Sequence, residues 1–169
     1  MSGLQLLSDA IGSDFAKNSA VIIGVIVAFI SVITARALAR KKQAADLLFS
    51  ARSDKGLQDG YKHIRDHHDA SNKNIRAMAE QSNFESAECV AIRYLLNHFE
   101  VMSIGIQNGI YDERMLKQCW YGLVIDTYKK SLPLIEAIRE KNKSLTALQE
   151  FEWLAKRWQQ KPLKARSNA

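Results

Sequence analysis

Residues 18–35 read NSAVIIGVIVAFISVITA. The stretch carries no charge and is bounded by Lys17 on one side and by Arg36, Arg40, Lys41 and Lys42 on the other. At about 1.5 Å of rise per residue, a helix over it reaches about 27 Å, close to the hydrocarbon thickness of a bilayer. A transmembrane helix is therefore expected at 18–35. Nothing in ARALARKKQAADLLFSAR breaks a helix, so the element is expected to continue to about residue 52 as a juxtamembrane helix.

Charge around the anchor sets its direction. Residues 1–35 carry Asp9, Asp14 and Lys17, a net −1, so the rest of a chain of +6 carries +7. Basic residues flanking a span stay on the cytoplasmic side. The expected arrangement is single-pass in the bacterial inner membrane, with residues 1–17 outside and the bulk of the chain in the cytoplasm. A cleaved signal peptide fits poorly, because the region before the apolar run is acidic and the basic cluster follows it. Within the tail, Leu4, Leu7, Ile11 and Phe15 share one helical face, which suits an interfacial helix and equally a frayed tail.

Outward from the anchor, the chain reads as all-α. Of 169 residues two are proline and eight glycine, and no alternating Val/Ile/Thr run with a tight turn announces a strand. Residues 53–160 form the expected cytoplasmic helical domain, a small antiparallel bundle, and 161–169 a disordered basic tail. Asp54 caps a helix whose thin buried face is Leu57, Tyr61 and Ile64, weakened by Gly56 and Gly60. Ser71 or Asn72 opens a short helix through Ile75 and Met78. Ser82 and Glu85 fit a capping box before a long helix, Phe84 to about Asn108, with Ile92, Leu95, Phe99, Met102 and Ile106 as its seam. Val101 and Ile104 add a second apolar flank.

Gly109 ends that helix, and Asp112 caps the next, which is expected to pair antiparallel with it through Leu116, Trp120, Leu123 and Thr127. Pro133 should kink or break it near Lys129–Leu132. Ser144 is the expected cap of a last helix with Leu148, Phe151, Leu154 and Trp158 as its seam. Cys89 and Cys119 read as small buried residues in a reducing compartment.

The second half carries a spaced signature: Leu96-Asn97-His98-Phe99-Glu100, Gly105-Ile106, Gly109-Ile110-Tyr111-Asp112-Glu113, Phe151-Glu152-Trp153-Leu154-Ala155 and Trp158. It resembles a family of uncharacterised bacterial and phage-borne proteins classed as a domain of unknown function. That resemblance covers about Phe84 to Trp158 and implies an N-terminal membrane helix with a helical cytoplasmic part. It brings no activity, and only by association does it suggest phage conflict or envelope signalling.

The candidate site residues are the polar members of the signature, Asn97, Glu100, Asp112 and Glu152. Asn97 and Glu100 share a face at i and i+3, and Arg93, Arg139 and Arg157 are available partners. The structural reading is a polar network that fixes helix register. The chemical alternative is a metal- or ligand-dependent enzyme built on Glu100 and Glu152. A di-metal bundle needs Glu-x-x-His pairs, and His63, His67, His68 and His98 have no glutamate three residues before them. His63 and His67 have the i, i+4 spacing of zinc ligands but read as a solvated helix face.

No phosphate loop or nucleophile motif is present, so no catalytic residue, metal ligand or cofactor is assigned. Basic residues are interleaved with acids, so nucleic acid is not the expected partner. The expected partners are the lipid bilayer and a protein partner or a second copy. The expected role is a membrane-anchored interaction or regulatory module. A membrane-perturbing effector acting through residues 1–35 is a third reading.

Overall fold

The computed structural model describes residues 3–70 and 73–164, and of residues 3–17 and Ala20 the backbone alone. The expected apolar face of the tail, the caps at Ser71 and Asn72, and the last residues of the basic tail lie outside the described residues. The described chain is helical, with α1 at Gly3–Ser53, α2 at Lys55–Asp69, α3 at Ala87–Gln107, α4 at Glu113–Asn142 and α5 at Gln149–Gln160. Short 3₁₀ helices lie at Ile75–Ala79 and Gln81–Asn83. The chain divides into two units, Met1–Ala39 and Arg40–Ala169.

In the first unit, α1 is long and apolar enough to cross a membrane. Every described side chain from Val21 to Ile33 is exposed, on all sides of the helix. A helix apolar all round finds no solvent partner in water. Two of its hydroxyls are satisfied within the helix: Ser31 Oγ donates to Val27 O at 2.7 Å and Thr34 Oγ1 to Ile30 O at 3.0 Å. That suits a medium without water.

The second unit is a helical bundle. Ala44 of α1, Leu57 and Ile64 of α2, the whole α3 seam from Ile92 to Ile106, and Phe151, Leu154 and Trp158 of α5 are buried together. Local chemistry sets the element ends. Asp54 accepts from Leu57 N at 3.1 Å and Asp112 from Met115 N at 2.9 Å, each satisfying a first-turn donor. Gly109 at φ +65 turns the chain out of α3.

Several expectations are corrected. The cap of α3 is Ser86, which accepts from Cys89 N at 3.2 Å, because residues 75–83 are drawn into 3₁₀ turns against α4 by Arg76–Glu140 and by Lys141 Nζ on Ala79 O. α4 runs unbroken through Pro133, which is exposed while Leu134 and Ile135 beside it are buried. α5 begins after Leu148, itself left-handed at φ 56, and not at a Ser144 cap. Cys119 is exposed; Cys89 is buried with its thiol 3.2 Å from Met78 O.

The nearest backbone neighbours of α3 are α2 and α5, not α4. The cause is side-chain size. A Cβ at Gly60 would sit 2.4 Å from Ala91 O, so the glycine lets α2 and α3 approach closely. Between α3 and α4 stand Phe99 and Trp120, edge to face with centroids 6.4 Å apart.

Candidate functional site

Four acidic residues of the second half have structural partners. Glu100 reaches from α3 to the start of α5, where its carboxylate accepts from Phe151 N at 2.7 Å and Glu150 N at 3.3 Å. Leu148, at the cap position of α5, has no side-chain acceptor. Glu100 therefore caps a helix fifty residues away in sequence. Asp112 is consumed as the cap of α4.

Glu152 also belongs to the first turn of α5, but its partners differ. Its Oε2 is 2.7 Å from Arg139 Nη1 and its Oε1 2.5 Å from Lys156 Nζ. The hydrogen bond from Lys156, and then that from Arg139, holds its carboxyl below the ordinary value. Arg139 Nε donates to Ala147 O at 2.9 Å, so this arginine straps the end of α4 to the connection and to α5. Glu100 and Glu152 are thus brought to one helix end without facing a common space.

A further constellation joins the first turn of α4 to α5. Glu113 receives Arg157 through Nε at 2.8 Å and Nη2 at 3.0 Å, and Trp158 Nε1 at 3.1 Å. The guanidinium, then the indole N–H, depresses the Glu113 carboxyl. Glu113 and Trp158 both stand in the spaced signature, and that shared membership was the available clue.

The histidine face of α2 is also revised. His67 is buried, with Nε2 3.0 Å from Glu88 Oε2 on α3. His63 Nδ1 is 3.9 Å and Lys73 Nζ 3.5 Å from the other oxygen of Glu88. An ammonium on that carboxylate is what a metal ion would have to displace. No group of three His, Cys, Asp or Glu among the described residues is arranged to hold a metal.

Among the clefts of the bundle, two lie against α3. The larger, about 640 Å³, is walled by α1, α2, α3 and α4, among them Leu48, Tyr61, His98 and Trp120, and has no carboxylate in its lining. His98 is mostly buried there, edge-on to Phe99 and Trp120, and its Nε2 has no partner. Burial pushes its imidazole below the ordinary value, with Asp54 opposing. The smaller, about 440 Å³, is lined by Arg93, Asn97, Glu100 and Lys141 among others.

Asn97, the remaining candidate, is exposed and makes no side-chain hydrogen bond among the described residues. It sits on the outward face of α3. There Val90, Tyr94, Val101 and Ile104 are 50%, 49%, 61% and 43% exposed. With Asn97 they step by four, three, four and three, a heptad seam opposite the buried one.

A helical bundle carrying an apolar helix of membrane-spanning length, with its acids engaged in helix ends, defines the class. The chain belongs to the family described as Domain of unknown function (DUF4760), matched over residues 18–158. Comparison with curated proteins and with solved structures returns no match.

Proposed function

We propose that this chain is a single-pass, membrane-anchored interaction module whose helical body lies on the cytoplasmic side of the cytoplasmic membrane. Support for the orientation is the uncharged run of 18–35 followed by Arg36, Arg40, Lys41 and Lys42. A non-catalytic role is favoured because Glu100, Asp112 and Glu152 are each taken up by helix ends or cations. The observation that carries the reading is the outward strip of α3, apolar, periodic and about half exposed, with the Tyr94 hydroxyl donating to Asp54 Oδ2 at 2.7 Å. A soluble bundle gains nothing from exposing such a strip, and a binding face needs one.

The test is a photo-crosslinking amino acid placed at Val101 of the full chain in native membranes, with Glu136, exposed on α4, as control. A discrete protein adduct at Val101 and none at Glu136 is expected. No position-specific adduct at Val90, Val101 or Ile104 would overturn the proposal.

A further inference from the structure

We infer that the partner on this strip is a second copy of the same chain, with Asn97 paired to Asn97 across a twofold axis. This rests on the interaction reading above and adds the identity of the partner.

The strip is centred on Asn97. Val90 and Ile104 lie seven residues to either side, and Tyr94 and Val101 lie three and four. A pair of α3 helices packed by this face therefore puts Asn97 against Asn97 whether the helices run parallel or antiparallel. Self-complementarity of this kind is what an isologous interface requires. The side chain at the centre suits it as well. An amide carries donor and acceptor together, so two facing amides satisfy each other. A single asparagine in an apolar seam fixes register and copy number at some cost in stability. No lysine, arginine, aspartate or glutamate falls among the five strip positions, so like charges do not oppose one another.

Area explains why an anchor accompanies the strip. About half exposure on four large side chains gives on the order of 400 Å² per copy, no more than the largest patch of an ordinary monomer. A pair would bury on the order of 800 Å², under the roughly 1,200 Å² of a stable soluble complex. Confinement to one bilayer raises the effective concentration and makes up the difference. It also gives both copies one orientation, so the twofold axis lies along the membrane normal.

The test uses the full chain in native membranes with the exposed thiol removed by Cys119→Ser. Asn97→Cys is compared with Glu136→Cys under mild oxidation. A disulfide-linked band at twice the 19.1 kDa mass is expected at position 97, about tenfold stronger than at 136. Adding Val101→Glu should lower it about tenfold while tryptophan fluorescence stays native. Asn97→Val should keep two tagged copies co-purifying but spread crosslinks from Val90→Cys over several registers. Equal bands at 97 and 136 overturn the second-copy inference. If the Val101 photo-adduct then has another mass, the interaction reading stands with a different partner. If there is no adduct, both fall.

Discussion

Replacing Glu100 should unfasten α5 without touching its seam. The first four backbone donors of a helix need partners from outside it. In α5, Gln149 N goes to Thr146 O at 3.3 Å and Glu152 N to Leu148 O at 3.1 Å. The other two, Glu150 N and Phe151 N, go to Glu100 alone. Glu100→Ala leaves both unpaired. A hydrogen bond to a charged group is worth about 1.5–3 kcal/mol and a lost cap about 1 kcal/mol. One of the two bonds is long and the site is half open to water, so the expected loss is about 2 kcal/mol. For a body of this size that lowers Tm by about 6–8 °C. Glu100→Gln keeps an acceptor and loses only the charge at the helix N-terminus, about 0.5–1 kcal/mol.

The assay is urea or thermal unfolding of the full chain in mild detergent, followed by tryptophan fluorescence. All three tryptophans, Trp120, Trp153 and Trp158, belong to the bundle, so the apolar stretch of α1 is silent. An alanine variant within about 0.5 kcal/mol of the parent, the ordinary scatter of surface substitutions, would refute the capping role and return Glu100 to the list of candidate functional acids.

Acidification should expose His98 before any carboxylate. Its folded value lies below 6.5, so the folded chain holds it neutral while the unfolded chain takes up a proton. Its stabilising contribution is complete above 6.5 and is lost as the pH falls below that toward the lowered value. His98→Phe should flatten the urea midpoint in that window, and an unchanged slope would refute the assignment. The depressed Glu113 and Glu152 act later, losing their contribution only as the pH falls below 4.5. Orientation is read from Cys119, the exposed thiol: a membrane-impermeant maleimide should label it in inverted vesicles and spare it in intact cells stripped of their outer wall. The reverse pattern would place the bundle outside.

What the sequence reveals here follows from distance along the chain. The α3 seam, the caps at Asp54 and Asp112 and the turn at Gly109 depend on neighbours within a turn or two, and periodicity displays them. Ser82 and Glu85 satisfy the local capping-box pattern, yet Ser86 is the cap, because residues 75–83 are held against α4. Pro133 obeys the same logic. A proline costs a helix about 3 kcal/mol. Here its ring faces solvent, and burial of Leu134 and Ile135 on the opposite side offsets that cost. The partners of Glu100 and Glu113 lie more than forty residues away, where no spacing rule reaches. The burial of His67 likewise depends on where α3 presents Glu88.

Subtracting these structural duties leaves Asn97, His98 and Tyr111, and of these Asn97 is the exposed one. In the signature, Glu100, Asp112, Glu113, Glu152 and Trp158 each close a bond that holds two helices or a helix end. Asn97 closes none. An exposed asparagine within a helix is slightly worse than alanine for helix formation, so it earns no place by propensity. Asn97→Ala should therefore leave the unfolding midpoint of the bundle unchanged or raise it slightly. A residue neutral to the fold, centred on a half-exposed apolar seam whose Tyr94 alone bonds back to the bundle through Asp54 among the described residues, has its chemistry directed outward. A variant silent in unfolding yet altered in crosslinking register would separate that role from every other polar residue of the signature.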